Sequence, residues 1–138
     1  MSRLVVRRRI RATPERLFAA WTEPSQLRQW WGPRGVECIE ALIDLRVGGR
    51  YSIANRLPDG RVIRISGEFE VVEPPHRLEY TWRTETQTAS EWVSVRFERD
   101  GDATEVIVTH ERIPDERTRE MHERGWGDCL DGLATWTG

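Results

Sequence analysis

The sequence predicts an α+β fold made of an antiparallel sheet and one long C-terminal helix. The chain has 138 residues, which is the size of one domain and too short for two, so we assign residues 1–138 to a single domain. Between residues 36 and 110, short runs of alternating apolar and polar residues are separated by turn residues, which is typical of half-buried strands. After residue 114, apolar residues recur at steps of three and four, which indicates an amphipathic helix.

The N-terminal part of the chain predicts one strand and then two short helices. Residues 4–11 alternate with a period of two, as a half-buried strand does. Thr13 suits the N-cap of a helix and Pro14 suits its first position, so a helix of about two turns follows. Pro24 disfavours helical geometry in the residue before it and therefore separates this helix from a second one, which ends at the Gly and Pro residues of 32–35.

The middle of the chain predicts six strands in an antiparallel meander, because the connections between them are short. A glycine inside the third strand, Gly67, predicts a bulge or a close approach of two backbones. Four residues of that strand are expected to share one face: Ile63, Ile65, Phe69 and Val71. The six predicted strands are Val36–Leu45, Arg50–Arg56, Arg61–Glu73, Arg77–Arg83, Glu91–Glu98 and Ala103–His110.

A long helix is predicted at the C-terminus, with Asp115 as its N-cap. Three glycines inside it each cost about 1 kcal/mol relative to alanine, so packing rather than propensity must hold it. The element order is therefore β-α-α-β-β-β-β-β-β-α. The residues expected on the apolar stripe of the helix are Met121, His122, Trp126, Cys129, Leu130, Leu133 and Trp136.

The composition argues against several functional classes. The formal net charge is -2, from 21 basic and 23 acidic residues, so no nucleic-acid partner is expected. No run approaches the roughly 20 apolar residues of a membrane span, which predicts no membrane insertion. The N-terminus lacks an apolar segment long enough for a secretory signal, and two cysteines are too few for a disulfide framework. These features predict a cytoplasmic protein.

The residues that commonly bind metals and cofactors are not grouped in the sequence. His76, His110, His122, Cys38 and Cys129 show no short ligand spacing. No Lys-Ser or Lys-Thr pair follows a glycine-rich turn, as a phosphate loop requires. We therefore predict neither a metal site nor a cofactor.

An apolar cavity is the strongest functional feature that the sequence predicts. A tryptophan usually fills a core, but seven in one small domain raise the odds that some of them line a cavity. Apolar pockets with a few polar groups are the usual ligand sites. The residues expected to line the cavity are Phe69, Tyr80, Trp82, Val95, His110, His122, Trp126, Cys129 and Leu133, with Glu68 as a further polar group. No catalytic residue is assigned, although a buried histidine beside an acid would suit a general base.

The motifs along nearly the whole chain resemble those of the activator of heat-shock-protein-90 ATPase homologue family, a branch of the START-like or SRPBCC superfamily. The resemblance implies the helix-grip fold, in which a curved antiparallel sheet wraps around the long C-terminal helix and leaves a cavity between them. The segments that carry it are residues 14–24, 30–33, 44–50, 58–60 and 74–82, with Gly67, Gly125, Trp126, Leu130 and Leu133.

Three functions remain open from the sequence, because one fold supports many activities. Binding of a small hydrophobic molecule, such as a lipid, is the first. The alternatives are a cavity enzyme of the cyclase or hydrolase kind, with His110, His122 and Glu68 as its polar groups, and a protein-interaction role as a co-chaperone or stress-response regulator. Eukaryotic co-chaperones place a separate domain before this one, for which the chain has no room, so a chaperone partner is not favoured. An exposed strand edge would permit a homodimer.

Overall fold

A computed structural model describes all 138 residues and contains seven strands and three helices. The predicted element order and the α+β class are confirmed. The elements are β1 (Ser2–Ile10), α1 (Pro14–Thr22), α2 (Pro24–Trp30), β2 (Glu37–Ile43), β3 (Arg50–Arg56), β4 (Val62–Glu73), β5 (Arg77–Thr84), β6 (Glu91–Asp100), β7 (Ala103–Ile113) and α3 (Glu116–Thr137).

The strands form one antiparallel sheet in the order β1-β7-β6-β5-β4-β3-β2. From β2 to β7 each strand pairs with its neighbour in sequence, as a meander does. The first strand lies at the far edge beside β7, so the chain crosses from one edge of the sheet to the other through α1 and α2. The sheet curves around α3 in the helix-grip arrangement, with one contiguous cluster of 28 buried residues as its core.

The helices begin where the sequence predicts. Thr13 Oγ1 accepts a hydrogen bond from the Arg16 amide at 3.1 Å, and Pro14 occupies the first turn of α1. Asp115 Oδ1 accepts from the Thr118 amide at 2.8 Å at the start of α3. These caps satisfy amide groups that have no partner within the first turn of a helix.

The apolar stripe of α3 is shorter at its N-terminal end than the sequence predicts. Trp126, Cys129, Leu130 and Leu133 are buried against the sheet, whereas 56% of Met121 is exposed. Met121 precedes Trp126 by five positions, which turns it about 140° away on a helix of 3.6 residues per turn. The assignment of Met121 to the buried face was therefore wrong.

The glycine of the longest strand marks a close approach of two backbones, as predicted. A Cβ atom at Gly67 would lie 1.8 Å from the carbonyl oxygen of Thr81 on β5. The prediction that Val71 shares the face of Phe69 was wrong, because the pairing of β4 with β5 shifts register between these two residues. The shift turns Val72 towards the core in place of Val71.

No helix of the chain combines the length and the apolar character that a membrane crossing requires.

Candidate functional site

The space between the sheet and the helices is almost filled by aromatic side chains. A gap of about 20 Å³ remains there, which we call the inner gap, and about one water molecule would occupy it. Binding pockets for drug-sized ligands measure roughly 300–1,000 Å³, so the open hollow that the sequence predicts is not present. Five of the seven tryptophans are buried and fill that space. Six aromatic residues line the gap: Trp21, Trp31, Tyr51, Phe69, Tyr80 and Trp82.

A larger recess of about 80 Å³ lies beside the inner gap, at the side of α3 that faces β3, β4 and β5. Trp31, Ile65 and Trp82 line both spaces and therefore form the wall between them. The residues that line the recess are Trp31, Pro33, Asn55, Ile65, Trp82, His122, Gly125, Trp126 and Cys129.

Two buried polar atoms of the recess-lining residues have no hydrogen-bond partner in the protein. They are Nε1 of Trp31 and Oδ1 of Asn55, and the two residues are only 8% and 5% exposed. The neighbouring indole of Trp30, by contrast, donates to the Ala20 carbonyl at 3.0 Å. A buried donor or acceptor left unpaired costs about 1–3 kcal/mol.

A chain of buried hydrogen bonds stands behind the recess, which we call the histidine–glutamate cluster (Glu91, His110, His122 with Trp126 and Gln87). Glu91 Oε1 lies 2.7 Å from His110 Nε2 and 3.0 Å from His122 Nε2. Gln87 Nε2 donates to the other carboxylate oxygen at 2.6 Å. The imidazole rings of the two histidines stack with their centroids 4.6 Å apart. Glu91 is 2% exposed, so its carboxylate is held by these three side chains rather than by water.

The cluster fixes the tautomers of both histidines. Trp126 Nε1 can only donate, and it donates to His110 Nδ1 at 2.9 Å, so the proton of a neutral His110 resides on Nε2 and points at Glu91. His122 likewise donates from Nε2 to the same carboxylate oxygen. Its Nδ1 has no partner within the protein and is reachable from solvent, so it can accept a hydrogen bond in the recess.

The charges of the cluster follow from these contacts. Burial alone would raise the pKa of Glu91, but the donors His110, His122 and Gln87 outweigh it and lower this pKa to about 2. Burial lowers the pKa of His110, and the stacked His122 adds to that effect while Glu91 opposes it. At neutral pH the cluster therefore contains an ionised carboxylate and a neutral His110.

The cluster brings together three potential metal ligands, but their protons do not suit a metal ion. The ligand atoms of Glu91, His110 and His122 lie within 4.8 Å of one another. With Nδ1 of His110 engaged by Trp126, its Nε2 carries the proton and has no free lone pair for a metal. The two imidazole planes are only 15° apart in a stack, so one ion cannot lie in both planes. This donor set fits a hydrogen-bonded chain.

Cys129 offers no nucleophile to the recess. Burial raises the pKa of its thiol to about 12, so the side chain stays neutral and behaves as a small apolar group.

We expect the stability of the fold to decrease in acid in two steps. The pKa of His110 is below its ordinary value of 6.5, so the unfolded histidine binds a proton first and stability decreases as the pH falls below about 6.5. The pKa of Glu91 is about 2 against an ordinary 4.5, so its contribution is present above about pH 4.5 and is lost as the pH falls towards 2. That second loss amounts to roughly 3 kcal/mol.

Urea unfolding between about pH 8 and pH 3 measures the first step and the onset of the second. The variant Glu91→Gln, which has no carboxyl group to titrate, is expected to lose the lower step. A free energy of unfolding that is constant between pH 7 and pH 5 would contradict the assignment of a neutral, buried His110.

The structure separates the predicted cavity residues into three groups. Phe69, Tyr80 and Trp82 line the inner gap. Trp82 also lines the recess, together with His122, Trp126 and Cys129. Val95, His110 and Leu133 are fully buried and line neither space.

Glu68 does not belong to the interior, and its assignment as a polar cavity residue was wrong. It pairs across the strands with Arg50 and lines a groove with Arg83 on the outer side of the sheet. Phe69 points into the core, so the alternation of a strand turns Glu68 outwards. The acid that meets the histidines is Glu91.

Sequence reasoning missed Glu91, Trp31 and Asn55, although two of them carried a signal. Glu91 has the same parity as the buried Val93, Val95 and Phe97 of its strand. Asn55 has the same parity as Tyr51 and Ile53. A polar residue on the apolar face of a strand indicates a buried polar site. Trp31 carried no such signal, because a tryptophan at the end of a short helix fits a core equally well.

Comparison with known protein families gives one match that covers most of the chain. The family model described as Activator of Hsp90 ATPase homolog 1-like protein matches residues 11–138. No curated protein sequence matches this chain.

Several solved structures share the whole fold. Protein CV1439 from Chromobacterium violaceum is 26% identical over 99% of this chain and 98% of that chain, with a TM-score of 0.90. The AHSA1 protein from Silicibacter pomeroyi is 28% identical over 97% of this chain and 96% of its own, with a TM-score of 0.87. CalU16 from Micromonospora echinospora is 26% identical over 99% of this chain and 76% of its own, with a TM-score of 0.78.

Proposed function

The chain belongs to the Activator of Hsp90 ATPase homolog 1-like family, with its START-like fold, and from that premise we propose that it binds a small apolar molecule of about one ring between the sheet and α3. The site of binding is the recess. Its walls are the rings of Trp31, Trp82 and Trp126 and the side chains of Ile65 and Cys129.

One observation carries this proposal: the indole N–H of Trp31 and the amide oxygen of Asn55 are buried without partners among the residues that line the recess. Most buried polar atoms in native proteins have a hydrogen-bond partner. A guest that supplies hydrogen-bond partners for both atoms removes the free-energy cost of leaving them unpaired. The indole walls add the gain from desolvating apolar surface, about 25 cal/mol per Å².

The dimensions of the recess restrict the size of the guest. About 80 Å³ is open in the recess and about 20 Å³ in the inner gap, whereas an engineered apolar cavity of about 150 Å³ binds benzene. Both spaces are smaller than that cavity, so a single ring enters the recess only in part and lies at its mouth, while a long lipid chain does not fit. The proposal therefore narrows the lipid-like ligand expected from the sequence to a molecule of one ring.

Gly125 provides a test in which stability and binding change in opposite directions. It lies on α3 among the lining residues, and a Cβ there would be 3.5 Å from Cγ of Pro33, which is an ordinary contact. Gly125→Leu should fill the recess and also improve the helix by about 1 kcal/mol, since glycine is a poor helix former. We expect this variant to be at least as stable as the parent and to lose ligand binding.

Binding is measured by titrating the ¹⁵N-labelled protein with toluene and phenol and following the amide shifts. We expect shifts that saturate and centre on Asn55, His122 and Gly125 in the parent, and none in Gly125→Leu. Gly127→Leu is the matched control, because Gly127 faces Arg8 rather than the recess. No saturable shift with either compound, or equal shifts in Gly125→Leu, would contradict the proposal.

A further inference from the structure

The polar groups around the recess restrict the chemistry of its guest, an inference that rests on the proposed function. Trp31 Nε1 is a donor without a partner, and Asn55 Oδ1 is an acceptor without one. His122 Nδ1 is a second free acceptor, because Glu91 holds the proton of this ring on Nε2. The residues that line the recess therefore hold one buried donor, one buried acceptor and the acceptor of His122 without partners.

A charged guest does not complement this arrangement. A carboxylate only accepts hydrogen bonds, so it would satisfy Trp31 but neither acceptor, and it would approach the ionised Glu91 behind His122. An ammonium group only donates, so the buried N–H of Trp31 would remain unpaired. A purely apolar ring leaves all three groups unpaired.

A neutral hydroxyl group complements an unpaired donor and an unpaired acceptor together, since it both donates and accepts hydrogen bonds. We infer that the recess binds a hydroxyl-bearing aromatic ring of the phenol class, whose O–H donates to His122 Nδ1 and whose oxygen accepts from Trp31 Nε1. His122 is the acceptor because an imidazole nitrogen is more basic than an amide oxygen. The ring lies against the indoles of Trp82 and Trp126, which line the same recess.

The buried part of the cluster has a defined role in this recognition. Glu91 accepts from both histidines, and Trp126 closes the chain by donating to His110. His110 and Glu91 thus hold His122 in the tautomer whose free lone pair is on Nδ1. They are positioning residues that act through His122, and the conversion of the guest is not part of this inference.

The test compares phenol, toluene and benzoate, which share a ring and differ in one group. Toluene is the least water-soluble, so burial alone would favour it, and a tighter complex with phenol requires hydrogen bonds. We expect phenol to bind about tenfold more tightly than toluene, and benzoate to bind most weakly. The indole N–H signal of Trp31, assigned by its loss in Trp31→Phe, should move downfield with phenol and not with toluene.

Two variants assign the hydrogen bonds. His122→Phe keeps the ring and removes the acceptor, and Trp31→Phe removes the donor; each should abolish most of the roughly tenfold preference for phenol. His76→Phe is the control, because His76 is exposed away from the recess. It should leave the preference unchanged.

The possible results separate the two proposals. If toluene binds as tightly as phenol, or benzoate binds most tightly, the inference is overturned while the proposed function stands. If none of the three compounds binds, the proposed function and this inference both fail. The indole signal is read in the parent protein, so a variant that fails to fold does not prevent the decision.

Discussion

Glu91→Gln is expected to lower the free energy of unfolding by about 3 kcal/mol, although it changes one oxygen into a nitrogen. The substitution removes the negative charge of the carboxylate to which both histidine N–H groups donate. It also directs a new N–H₂ group at the donor of Gln87. Gln87 cannot turn its amide around without losing the bond in which its Oε1 accepts from the Thr84 amide at 2.8 Å.

The matched control for this prediction is Glu68→Gln, which makes the same chemical change on the outer side of the sheet. Urea unfolding at neutral pH should place it within about 0.5 kcal/mol of the parent, as for most surface substitutions. A Glu91→Gln variant as stable as Glu68→Gln would show that the ionised carboxylate does not hold the cluster together. The orientation of His122 would then need another cause.

The fold could be predicted from the sequence because its signals are local and repeated. Thr13 and Asp115 are caps that depend on their own helices, and both act as predicted. Gly67 marks a close approach that only a residue without a side chain permits. The failures arose where geometry is not local. The bulge between Phe69 and Val71 shifts parity in mid-strand, and nothing in the residue pattern announces where such a shift occurs.

The candidate site could be predicted only in part, since it depends on which strands become neighbours. His110 and His122 were singled out as polar groups near an apolar face, and the structure brings them together. The acid that pairs with the two histidines could not be chosen from sequence spacing alone, because Glu91 and His110 meet through the pairing of β6 with β7. Glu68 was the acid predicted to face the cavity, yet the buried Phe69 beside it already fixed an outward direction for Glu68.

The predicted open cavity is absent because side chains fill its volume, which the residue pattern does not reveal. A tryptophan that lines a cavity and one that fills it look alike in a sequence, and side-chain packing alone decides between them. Here the tryptophans of α1 and α2 enter the space between the sheet and α3 and leave only the inner gap. Trp21 makes the most of these contacts, with ring centroids 5.0 Å from Trp30 and 6.0 Å from Trp126.

Trp21→Ala is therefore expected to lower the free energy of unfolding by about 3–5 kcal/mol, the range for truncating a large buried aromatic residue. Besides its three indole neighbours, Trp30, Trp31 and Trp126, Trp21 contacts Phe97 of β6 at 5.8 Å, so it joins α1 to α2, to the sheet and to α3. Removing the indole also enlarges the inner gap that it lines. Urea unfolding measures the first effect, and toluene binding, which should tighten in the variant, measures the second.

Trp92 supplies the control, because this tryptophan of β6 is only half-buried and its ring lies against the guanidinium of Arg112, at 5.4 Å from the ring centroid. Trp92→Ala should cost less than about 1 kcal/mol and leave toluene binding unchanged. If both variants lose equal stability, the indole of Trp21 does not hold the interior closed. If Trp21→Ala is destabilised but binds toluene no more tightly, neighbouring side chains have collapsed into the space that the indole leaves. The size limit on the ligand would then follow from backbone geometry rather than from the tryptophans.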